Sequence, residues 1–203
     1  ILAASVSAIY QWNIKRLLAY SSVAQIGYMA VGIGLGTTLG VTASIVHLFN
    51  HALMKGALFM AVGALIYRVG GCYIEDYRGI ARRMPWTSAA IVLGGLSLVG
   101  VPGTAGFVSK WYLVLAAMEQ QAWFVVAVIL MGSLIAVVYV GKVIEALYFG
   151  FQKEVDPSVK EAPLLLLLPT WTLVLANLYF GLDTDLSVGM AERAVQALGV
   201  MAK

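Results

Sequence analysis

The stretch GGLSLVGVPGTAGFVSKWYL, Gly94 to Leu113, decides the fold. It lies within a long apolar run, yet it carries glycines at 94, 95, 100, 103 and 106, a proline at 102 and a lysine at 110. Glycine and proline interrupt helical hydrogen bonding, and backbone freed in lipid must find partners in protein or water. A lysine near the middle of a span costs about 2.5–3.5 kcal/mol by insertion scales, so an intramembrane lysine marks a functional site by default. The stretch therefore predicts a transmembrane helix broken at Gly100–Gly106, through Gly100, Pro102, Gly103 and Gly106. Lys110, just past the break, is the candidate proton carrier.

Composition sets the class. Hydrophobic residues make up 61% of the 203 and charged residues 11%, where a soluble domain carries about 25% charged residues. The fold class is all-α membrane, with room for about six spans of about 20 residues each. One cysteine, Cys72, excludes an internal disulfide and any multi-cysteine cluster. The net charge of +3 is small and scattered, which gives no sign of a nucleic-acid partner. Ile1 opens in mid-run with neither a basic n-region nor a small-residue cleavage site, so the expectation is the C-terminal part of a longer chain.

In order, residues 1–10 read as the tail of a span, and spans follow over 17–36, 41–67, 88–118 (two half-helices around the break), 123–149 and 164–180. Residues 1–181 form the transmembrane domain and 182–203 a tail. There Val188, Ala191, Val195 and Leu198 predict one face of a short helix lying at the membrane interface. Alternating the spans places Lys15, Arg16, Arg68, Arg78, Arg82, Arg83, Lys153 and Lys160 on one side, and only Arg193 and Lys203 on the other. The positive-inside rule then predicts a multi-pass protein of the plasma membrane with an exterior C-terminus.

Three ionisable residues share one helix. His47, His51 and Lys55 recur every four residues, so each steps about 40° around the axis and the row is about 12 Å long. A file of titratable groups on one face is what a proton relay needs, and histidine exchanges its proton near neutral pH. The bland alternative, polar groups that only glue helices together, suits a lone histidine better than three groups in register beside a second buried lysine. A zinc reading fails because Leu48, Phe49 and Asn50 supply no glutamate between the histidines and no further His or Cys pair exists. Lys142 and Glu145 near the end of their span read as side chains snorkelling to the interface. Glu119 reads as the outer end of the broken helix, and the glycines as no phosphate loop, for want of GK[ST].

Three segments carry a resemblance. IKRLLAYSS (Ile14 to Ser22), HLFNHALMKGALF (His47 to Phe59) and Gly100 to Lys110 resemble, in that order, the signature segments of proton-translocating antiporter-like membrane subunits. These occur in respiratory complex I, Mrp-type cation/proton antiporters and membrane-bound hydrogenases. RMPWT at Arg83 to Thr87, the Gly94–Leu113 stretch and VVYVGKVIEALYFG look most like the D-type component of Mrp antiporters, with complex I subunits next. The resemblance implies a 14-helix subunit with two inverted repeats, of which this chain supplies the second repeat and the closing helix. It implies that Lys110 is the central lysine, that Lys55, His51 and His47 form the connecting relay, and that Lys15 is a further polar-axis lysine. Asn13 departs from the pattern, since many members carry Asp there. The implied function is a proton-translocating subunit of a multisubunit Na⁺/H⁺ antiporter, or alternatively a proton-pumping subunit of NADH:quinone oxidoreductase or a related hydrogenase. The partners would be other membrane subunits, protons, Na⁺ and lipid, with no cofactor. The rival of another class is a structural membrane subunit whose ionisable groups only hold neighbours in place.

Overall fold

The computed structural model describes residues 1–149 and 159–199. Among them the secondary structure is helical: α1 (Leu2–Ile9), α2 (Ile14–Gly34), α3 (Thr38–Val69), α4 (Pro85–Val99), α5 (Ala105–Glu119), α6 (Trp123–Phe149), α7 (Leu164–Leu182) and α8 (Asp185–Ala197), with two short 3₁₀ turns between α3 and α4. Four helices, α2, α3, α6 and α7, are each long and apolar enough to cross a membrane. The pair α4–α5 makes a further passage in two halves. The expected Lys153 to Asp156 part of the charged loop, and Lys203, lie outside the described residues.

Local chemistry moves several boundaries from where apolar runs alone place them. α2 begins at Ile14 because the Asn13 side chain accepts from the amides of Lys15 (3.0 Å) and Arg16 (3.3 Å). An asparagine here is an N-cap, satisfying donors that a helix start leaves orphaned. α3 begins at Thr38, a turn earlier than the apolar run, because Thr37 Oγ1 accepts from the Gly40 amide at 3.0 Å. It ends where Gly70 takes a left-handed φ of 85°. α4 begins at Pro85, with proline in the first turn, where the missing N–H costs nothing. Its free amides find Glu161, whose Oε2 accepts from Trp86 N at 2.8 Å while Oε1 accepts from Thr87 Oγ1 at 2.6 Å.

α3 is the central strut, packed against α2, α4, α5, α7 and α8. The main core joins Leu17 and Leu18 of α2, Met54, Leu58 and Leu65 of α3, Ile91 and Leu98 of α4, and Tyr139 and Leu147 of α6. At one end of the bundle the segments between helices bond to one another. Ile14 N donates to Cys72 O, Ile74 N to Trp12 O and Gly79 N to Ala146 O, each at 2.9 Å. Arg78, Arg82, Arg83, Lys15 and Arg16 are all exposed at this end. At the opposite end a cavity of about 620 Å³ is lined by Thr37, Thr42, Glu119, Gln120, Glu192 and Gln196.

The tail helix is anchored. Val188 and Ala191 of α8 pack on Val46 of α3 and Val108 of α5, and Val195 is fully buried. Leu198, expected on the same apolar face, is the C-cap residue and is 68% exposed.

Candidate functional site

The break forms where sequence puts it. Gly100 and Gly103 take φ of 93° and 86°, a region closed to most side chains. Gly100 ends α4, and Pro102 and Thr104 carry the chain into α5, with Thr104 Oγ1 donating to Val101 O at 2.7 Å. Gly106 is required for a different reason. A Cβ there would lie 1.9 Å from Ser97 O, so only glycine lets the second half-helix meet the end of the first. Its amide donates to Ser97 Oγ at 3.1 Å, giving one freed backbone group a partner.

Stopping α4 at Gly100 leaves its last carbonyls without helical partners, at the negative end of the helix dipole. Lys110 takes them. Its Nζ donates to Leu98 O and Val99 O, both at 2.9 Å, and to Ser133 Oγ of α6 at 3.1 Å. All three ammonium donors are used by a residue that is 5% exposed, and a buried charge persists only when its donors are matched in this way. The Tyr28 ring of α2 lies 4.9 Å from the same nitrogen, within cation–π reach.

From Lys110 a file of groups runs along α3. The preceding residue, Ser109, places its Oγ 2.8 Å from His47 Nδ1. The His47 and His51 rings stack at 6.5 Å, as four-residue spacing requires, and Tyr28 flanks His47 at 5.7 Å. One turn further on, Lys55 Nζ donates to Leu18 O at 2.9 Å and to Ser21 Oγ. Asn50, in the same stretch of α3, donates its amide to Ala105 O at 2.7 Å, tying α3 to the start of α5. The Nε2 atoms of His47 and His51 are buried without a partner among the described residues.

Four of the five sequence-predicted proton-transfer residues, Lys110, His47, His51 and Lys55, are thus brought together. Lys15 is not with them. It sits exposed in the first turn of α2, because the Asn13 cap starts the helix at the basic end of the bundle. Lys142 is also separate: its Nζ caps the end of α1 through Ile9 O (3.0 Å) and Gln11 O (2.8 Å) and lies 3.9 Å from the Trp12 ring.

Sequence reasoning misses the hydroxyls that link the charged groups. Ser109 stands beside Lys110 in the motif, and Ser133 is a polar residue in the apolar middle of α6. Ser21, a polar residue within the apolar α2, holds Lys55.

A family model described as NADH:quinone oxidoreductase/Mrp antiporter, TM, matches residues 1–136. The chain belongs to that family. The match takes in Lys15, His47, His51, Lys55, the break, Lys110 and Ser133. Among curated relatives in the antiporter-like family, the N-type component of NADH-quinone oxidoreductase from Desulforudis audaxviator is 39% identical over 91% of this chain and 39% of its own length. The D-type component of the Na⁺/H⁺ antiporter from Alkalihalophilus pseudofirmus is 30% identical over 88% of this chain and 36% of its own. Among solved structures, the membrane-bound sulfane sulfur reductase, an archaeal respiratory membrane complex, contains a chain 39% identical to this one with a TM-score of 0.84, over 89% of this chain and 30% of that one. The chain therefore spans less than two fifths of the length of these two curated relatives. Both branches of the antiporter-like family named by the resemblance are among its relatives, and the neighbouring structure is that of a multisubunit membrane complex.

Proposed function

We propose that this chain is the proton-conducting second repeat and closing helix, residues 1–181, of an antiporter-like subunit, with 182–203 as a tail at the membrane surface. The observation that carries the reading is Lys110: a buried ammonium held by the carbonyls of a broken helix and joined through Ser109 to His47, His51 and Lys55. Protons pass along this file by transient protonation, with water filling the gaps. Discontinuous helices serve transporters in the same way, because freed carbonyls and half-helix ends meet the transported ion. Lys15 stands outside the buried file and would act only at the basic mouth of the bundle.

In the full-length subunit, inside its complex, the proton flux is coupled to a monovalent cation, Na⁺, across the plasma membrane. The basic end of the bundle faces the cytoplasm and the C-terminus the exterior, as the distribution of exposed arginines supports. The relationship to the D-type component of an Na⁺/H⁺ antiporter supports this coupling. A second reading, a proton-pumping subunit of a quinone-reducing complex, is favoured by the 39% identity to an N-type component of NADH-quinone oxidoreductase. The two part cleanly in inverted vesicles carrying the whole complex. Proton release triggered by added Na⁺, with no electron donor present, is expected of the antiporter. Proton movement that needs a donor and quinone and ignores Na⁺ would reject it for the second reading.

A further inference from the structure

α7 carries a buried asparagine that the charged file does not use. Asn177 is 3% exposed, and among the described residues neither its Oδ1 nor its Nδ2 has a hydrogen-bond partner. Buried side-chain amides are nearly always bonded, to protein or to ordered water. Contacts on either side fix where this one points. Leu173, one turn earlier, packs on Gly56 of α3, where a Cβ would lie 2.9 Å from Leu173 Cδ1. Gly181, one turn later, lies against the break, where its Cβ would fall 2.4 Å from the Thr104 carbonyl carbon. Residues four apart share a helix face, so Asn177 faces α3 and the break between those two contacts. Phe180 meets Phe49 edge-on at 5.0 Å, which sets an antiparallel register and puts Asn177 level with the α3 stretch between Phe49 and Gly56.

That stretch holds another orphaned group, Asn50 Oδ1, whereas His51 shares the face of His47 and Lys55, turned to α5 and α2. The orientation of Asn50 is fixed, because its Nδ2 is committed to Ala105 O. The unmet needs are therefore two amide oxygens that accept and one N–H₂ that donates. A bare cation would satisfy the oxygens and be repelled by the Asn177 N–H₂ dipole. A water both donates and accepts, and so meets the whole set. A chain of this length holds about seven buried waters at the usual frequency of about one per 27 residues.

We infer that Asn177 and Asn50 hold ordered water at the helix break, and that this water makes α7 a wall of the proton path where the break meets it. The inference rests on the proton-conducting reading above. It gives the closing helix, which lies beyond the family match, a part in conduction.

The test uses the full-length subunit in its complex. A high-resolution cryo-EM structure is expected to show water density within hydrogen-bond distance of both asparagine side chains. Its absence at a resolution that shows other buried waters would overturn the inference. Asn177→Leu keeps the size and removes the polar atoms. It is expected to lower thermal stability modestly, since the water shared with Asn50 loses a partner, while proton transport per complex falls about tenfold, equivalent to about 1.4 kcal/mol on the barrier. Asn177→Ser, which retains a hydroxyl and makes room for another water, is expected to restore most of the rate. Unchanged transport in Asn177→Leu would overturn the inference. Should that variant not assemble, the wild-type water density together with near-normal transport in Asn177→Ser decides for it, and a serine variant as slow as a null decides against. Lys110→Ala made in parallel separates the two ideas. If Lys110 is required and Asn177→Leu conducts normally, only the water site falls, whereas normal transport in Lys110→Ala removes the proton file itself.

Discussion

His47 Nδ1 lies 2.8 Å from the hydroxyl of Ser109, the residue immediately before Lys110. The contact joins α3 to α5 and is the one direct hydrogen bond, among the described residues, between the histidine row and the segment carrying the break lysine. Ser109→Ala removes it and leaves His47 with both ring nitrogens unbonded in a fully buried position. The expected cost is about 1–3 kcal/mol of stability for the stranded group. Proton transport per assembled complex is expected to fall with it, and Ser109→Thr, which keeps the hydroxyl, to retain more of the rate. Equal rates in the alanine and wild-type complexes would remove this bond from the path.

The two halves of the broken helix meet at Gly106. Gly106→Ala places a Cβ 1.9 Å from a backbone oxygen, which no side-chain rotation relieves. The subunit is expected to fail to accumulate in the membrane. Gly63→Ala is the control, because a Cβ there meets nothing within 4 Å. In mid-helix it is expected to be neutral or stabilising by about 0.5–1 kcal/mol. Immunoblots of membrane fractions and thermal melts distinguish the two, and normal accumulation of Gly106→Ala would contradict the close approach.

Glu161 caps α4 from across the bundle. Glu161→Ala is expected to lower stability by about 1 kcal/mol, the usual worth of an N-cap, while transport per complex is unchanged. A loss of transport beyond the loss of protein would show that the carboxylate does more than hold the helix start.

Lys142 tests whether position or mere lysine content matters. It caps α1 at Ile9 and Gln11 and makes no contact with the buried file. Lys142→Met is expected to destabilise by about 1 kcal/mol as two carbonyls lose their donor and to leave proton movement intact. Abolished transport in a correctly assembled Lys142→Met complex would mean that the file extends to Lys142.

The contrast between these residues shows how much is legible in the sequence. The His47, His51 and Lys55 row follows from four-residue spacing on one helix, and the break follows from glycine and proline chemistry, so both are readable locally. Where a side chain's partner lies far along the chain, periodicity is silent. Lys142 bonds carbonyls more than 130 residues away, and Ser133 reaches Lys110 from a different helix. The role of Ser21 depends on Lys55, 34 residues on. Lys15 shows the reverse case. A motif implies an axial lysine, but the Asn13 cap sets the helix start and leaves the side chain exposed. The tail helix is recognisable by its apolar spacing, yet its docking on Val46 and Val108 and the exposure of Leu198 depend on tertiary packing.

The central claim is that Lys110 carries protons and is not merely a buried tie between α4, α5 and α6. Its most direct test is ΔpH-dependent dye quenching in inverted membrane vesicles containing the complex with the full-length subunit, normalised to the amount of assembled complex. Lys110→Ala is predicted to assemble and to abolish coupled proton movement. Wild-type proton movement in that assembled variant would contradict the account.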